Sequence, residues 1–179
     1  MFQLPPLPTW DGLHPLIIHF PIGLLLVAPL LVLIGALMSP KKGRTMLLAA
    51  LIMMLLGTVS VFIALQTGEA AAELADRSPQ VNAIIQHHEE LAEQTRIVFS
   101  ILTVGFAALL FLPNLLKREV TRPSHIAFLL IFLLFYGAGT ILLANTAHQG
   151  GRLVHEFGVK AMVAPTPGGP APLSPGDND

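Results

Sequence analysis

Four long apolar runs constrain this chain more than any other feature. They cover about 16–38, 46–66, 97–112 and 126–145, the third with a polar N-terminal extension. A run of roughly 20 apolar residues is the length that crosses a bilayer as a helix. In hydrocarbon every backbone N–H and C=O must be satisfied within the protein, so four such runs can only be a helical bundle. With 53% hydrophobic and 12% charged residues, the composition agrees. The sequence therefore predicts an all-α, four-span transmembrane helical bundle. A net charge of −1 offers no basic surface for nucleic acid. The absence of Cys excludes disulfides, thiolate zinc sites, cysteine-ligated iron–sulfur clusters and Cys-attached haem c.

The remaining segments divide the chain. Residues 1–12 are Pro-rich and read as an extended leader. They show neither a basic n-region nor a cleavage site, so the first span is expected to stay in the mature protein. Residues 13–163 form the four-helix domain, with Arg152–Val163 as a short amphipathic return after a stop at Gly150-Gly151. Residues 164–179 are Pro/Gly-rich and read as a disordered tail. Between the spans, Lys41-Lys42-Gly43-Arg44 reads as one basic loop, and Lys117, Arg118 and Arg122 mark a second. Ser78-Pro79 is an N-cap followed by Pro at the first helical position, and Ser124 is the expected cap of the fourth span. From Pro79 to Leu112 nothing breaks the helical pattern, so spans 2 and 3 should extend beyond the membrane as a hairpin. The excess of Lys and Arg in the two short connections places them in the cytoplasm. Both termini, the hairpin tip and six of the seven His then face outward, which in a bacterium is the periplasmic side of the inner membrane. Only His125 lies at the other end.

The polar residues of the outer end carry the chemistry. The first span opens as His14-Pro15-Leu16-Ile17-Ile18-His19-Phe20-Pro21, where Pro21 is expected to bend the helix. Five residues rotate the chain by about 140° net, so one helix does not present His14 and His19 to the same ion. His88 falls on the apolar stripe of the third span, between Ile84/Ile85 and Leu91/Ala92, and should face the bundle interior. At about 1.5 Å per residue, His14, His88, His148 and Glu69 come to one level on four different helices.

Three functions fit this constellation. Facing imidazoles with small residues beside them are how a bundle holds haem b, with Gly68, Ala71, Ala72 and Ala75 on span 2 and Gly137, Ala138 and Gly139 on span 4 giving room. The ligands would be drawn from His14, His19, His88 and His148, for one or two haems. Alternatively His14, His88 and His148 with Glu69 would suit Zn, Cu or Fe in a metal-binding or metal-transporting protein. The same Gly/Ala rows also serve plain close helix packing, as in a cofactor-free structural subunit of a larger membrane complex. His87, His125 and His155 read as solvated or headgroup-level residues.

His14-Pro15-x-x-x-His19-Phe20-Pro21-Ile22, a His opening span 3, and His148-x-Gly150-Gly151-x-Leu153-Val154 together resemble the bacterial predicted membrane proteins grouped as domain of unknown function 2231. The resemblance covers about residues 10–160. It implies a four-span membrane domain and no established activity. Relatives resemble b-type cytochrome subunits, and some are joined to c-type cytochrome modules. The expectation drawn from the site and the resemblance together is a redox subunit without a substrate pocket of its own, partnered by a periplasmic c-type cytochrome or a larger membrane complex. His155 stands where many relatives carry an aromatic.

Overall fold

The computed structural model describes residues 8–75 and 78–159. The expected tail lies outside the described residues, as do Asp76 and Arg77 at the hairpin tip. The described chain is all-helical, with four helices long and apolar enough to span a membrane: Asp11–Leu37, Pro40–Glu73, Pro79–Leu115 and Arg122–His155. Each packs on its neighbours in chain order, and the fourth returns to the first. Among the described residues no two Cα atoms of diagonally opposite helices come within 8 Å.

The sequence accounts for most helix ends. The first helix starts as a 3-10 turn at Asp11–Leu13 and is interrupted at Ile18 between His14–Ile17 and His19–Leu37. The interruption lies one turn before Pro21, whose ring would strike the Ile17 carbonyl and whose nitrogen has no hydrogen to give it. Ser78 caps the third helix, its hydroxyl accepting from the Val81 amide at 3.3 Å, and that helix continues unbroken into the membrane.

Three expectations are corrected. Lys41–Arg44 is no loop: Ser39 is the N-cap, Pro40 opens the second helix, and the basic residues occupy its first turns. The cap of the fourth helix is Thr121, whose hydroxyl accepts from the Ser124 amide at 3.4 Å, so Ser124 lies inside the first turn. That helix also passes straight through Gly150-Gly151 to His155, and there is no separate return helix over 152–159. Glycine lowers helix propensity by only about 1 kcal/mol, and packing overrides it here.

The core is mostly Leu, Ala and Val, with buried aromatic residues and threonines tying the helices together. Tyr136 is fully buried and donates to the Leu25 carbonyl at 2.8 Å, tying the fourth helix to the first. Its ring meets Phe99 edge-on at 5.4 Å, and Phe106 stacks on Phe132 at 4.7 Å. Thr58 and Thr103 share a hydrogen bond of 2.9 Å between the second and third helices. Gly35 and Gly43 bring the first two helices into backbone contact, since a Cβ on Gly43 would fall on the Gly35 carbonyl. Leu16, Phe20, Val104 and Leu134 are among the large apolar side chains left exposed, as a lipid-facing surface requires.

Candidate functional site

At the end of the bundle opposite the basic turns, all four helices line a cavity of about 380 Å³. That lies in the range of small-molecule and cofactor pockets, roughly 300–1,000 Å³. Its floor is apolar, made by Pro21, Ile22, Val61, Leu65 and Leu143, and Glu69, Glu89 and His155 are the ionisable side chains along its wall besides the two described next.

His14 and His88 face each other inside it. They come from the first and third helices, one diagonal of the bundle, and their ring centroids are 6.5 Å apart with planes at 81°. Each is anchored by the helix that follows it. His14 Nδ1 donates to the Ala64 carbonyl at 2.9 Å, with the Thr67 hydroxyl oxygen 3.2 Å away. Thr67 is fully buried and gives its own hydrogen to the Ile63 or Ala64 carbonyl, so its oxygen is free to accept. His88 Nδ1 donates to the Thr146 carbonyl at 2.9 Å. The Thr146 hydroxyl is bonded to that of Thr95 at 2.8 Å, which holds the third and fourth helices together beneath His88.

A carbonyl oxygen only accepts, so Nδ1 carries a hydrogen on both rings, and in the neutral ring Nε2 keeps its lone pair. Among the described residues neither Nε2 has a hydrogen-bond partner. Two imidazoles, each fixed through Nδ1–H to a backbone carbonyl, have the tautomer and fixed orientation that a metal ligand needs.

The other diagonal carries the small residues. Gly68, Ala71 and Ala72 line the cavity from the second helix, Ala75 from just past its end, and Ala147, Gly150 and Gly151 from the fourth. The row expected on the fourth helix, Gly137, Ala138 and Gly139, lies two to three turns away from this level. Gly139 there packs on Leu102 and Val98, and Ala138 with Gly139 lines a separate apolar groove beside the third helix. Spacing alone did not separate these two rows.

Of the other candidates, His19 and His148 are exposed and do not line the cavity. Glu69 is exposed at the cavity wall. Among the described residues no three His, Cys, Asp or Glu side chains converge on one point, so the set His14, His88, His148 and Glu69 is not brought together. His155, expected to be solvated, is exposed but does line the cavity. Thr67, Thr95 and Thr146 were missed. Their signal was present as buried hydroxyls in apolar spans at the His level.

The model of the family described as predicted membrane protein (DUF2231) matches residues 11–162. The chain belongs to this family. No curated protein and no solved structure matches it. Its four apolar helices accord with the family description, and the DUF2231 match spans the whole lining of the cavity.

Proposed function

We propose that this DUF2231 protein is a membrane electron-transfer subunit that binds one haem b between His14 and His88. One observation carries the reading: two imidazoles with free Nε2 atoms, 6.5 Å apart between centroids, across the diagonal of a four-helix bundle. His14 and His88 would hold the iron through their Nε2 atoms, and the spacing of the two rings leaves room for one metal ion between them. The small residues on the other two helices support haem over a bare ion, because only a planar macrocycle needs room at right angles to the ligand axis. A tetrahedral zinc site needs four ligands and a catalytic one three, and the described residues bring two.

Haem b supplies one-electron exchange between ferric and ferrous iron. The protein's part is to bind and orient. Ala64 and Thr146 accept the Nδ1 hydrogens, which would fix the orientation of both rings and raise their basicity toward metal. Val61, Leu65, Ile22 and Leu143 exclude water from the inner side. The acidic wall residues Glu69 and Glu89 lie toward the outer end, where a periplasmic electron carrier or a larger membrane complex would approach.

The deciding measurement is a reduced-minus-oxidised absorption spectrum of the purified protein with metal analysis beside it. The expected result is a b-type Soret and α-band shift with one iron per chain. Stoichiometric zinc or copper without a Soret band would favour the metal-binding alternative, and neither would favour a structural subunit.

The orientation proposed with this reading puts the cavity on the periplasmic side of the bacterial inner membrane. Its support is the basic residues at the opposite end, where the Arg122 guanidinium reaches the Met38 carbonyl at 3.5 Å. A reporter fused after Asp179 should be active in the periplasm, and cytoplasmic activity would reverse the assignment.

A further inference from the structure

The imidazole anchors of this site repeat. On the second helix, Ala64 accepts from His14 and Gly68 lies four residues on. On the fourth helix, Thr146 accepts from His88 and Gly150 lies four residues on. Residues four apart share a helix face. Each imidazole therefore lies over a patch made of one carbonyl and, a turn later, one bare Cα. Helix-interior glycine costs about 1 kcal/mol against alanine, so its use at both equivalent points asks for a reason. The reason is contact: a Cβ on Gly68 would be 2.9 Å from His14 Cε1, and one on Gly150 would be 3.1 Å from His88 Cε1. Each ring also holds its Nδ1 bond to the carbonyl one turn earlier. The two planes are thus set separately, by two different helices, at 81° to each other.

Resting on the haem reading above, we infer that Gly68 and Gly150 are positioning residues that hold the two iron ligands perpendicular. Perpendicular imidazoles donate π density to two different iron d orbitals and leave them nearly equal in energy. Parallel ones donate to the same orbital and split the pair. Ligand orientation is thereby an electronic control of the iron, alongside ligand identity and hydrogen bonding.

The test is electron paramagnetic resonance of the oxidised holoprotein. Nearly equal orbitals give one strongly anisotropic low-spin feature at low field. Gly68→Ala, with the shorter contact, should convert it toward a resolved three-line rhombic spectrum, and Gly150→Ala should do so to a smaller extent. Gly23→Ala, whose Cβ meets nothing within 4 Å, should leave it unchanged. Should Gly68→Ala load no haem, Gly150→Ala decides, and an unaltered spectrum in it overturns the assignment. A rhombic spectrum in the unsubstituted protein overturns the perpendicular arrangement while leaving haem binding standing. A purified protein without haem overturns both.

Discussion

On the proposed haem reading, replacing His14 or His88 by Ala should abolish the Soret band, while His19→Ala, His148→Ala, His87→Ala and His125→Ala should leave it in place. Each of the first two removes one of only two imidazoles that meet across the cavity. A bis-imidazole site that loses one ligand has no replacement within the described residues, since no third His, Asp or Glu converges there. The second pair points elsewhere: His19 and His148 are exposed. Soret absorbance per chain, measured on protein purified under one protocol, reads the outcome directly. Loss of the band in His19→Ala or His148→Ala would return ligation to the wider set of four His, or add a second haem. Retention of the band in both His14→Ala and His88→Ala would remove haem from this cavity. Thr146→Val is a milder companion: it keeps the carbonyl that accepts from His88 and breaks the hydroxyl pair with Thr95, so haem should stay bound.

The second large effect is on stability and needs no cofactor. Gly43→Ala should destabilise the bundle by about 1–3 kcal/mol, the cost of forcing extra volume into a packed contact. The added Cβ would meet the Gly35 carbonyl, which is backbone and has no rotamer by which to move aside. Lipid makes the loss harder to offset, because apolar chains give helices no hydrophobic reason to stay together and close packing holds them. Gly105→Ala is the matched comparison: its Cβ meets nothing within 4 Å, and its effect should be neutral or slightly stabilising. Thermal unfolding in detergent, followed by circular dichroism, reports both. A Gly43→Ala midpoint equal to that of the unsubstituted chain would mean the two backbones do not touch at this point.

The sequence by itself determined the bundle. Four runs of membrane length, no alternative backbone solution in hydrocarbon, and Pro or Ser at the helix starts left little choice of fold. It also determined the level of the site. Counting helix rise brought His14, His88, His148 and Glu69 to one height, and of these His14, His88 and Glu69 line one cavity while His148 does not. The apolar stripe placed His88 inward, and the five-residue spacing excluded a common target for His14 and His19. The tertiary structure alone decided which residues look inward at that height. Rise along a helix is fixed by its hydrogen bonds, but rotation about its axis is fixed by the neighbours it packs against. His148 and Thr146 are two residues apart on one turn; packing against the third helix buries Thr146 and leaves His148 outside. Gly150 reads locally as a helix stop, yet the helix runs on, and the His88 ring lies against its bare Cα. On the first helix, an interfacial position explains His14 from sequence alone. Only its contact with Ala64, Thr67 and Gly68, fifty or more residues away, makes it one half of the site.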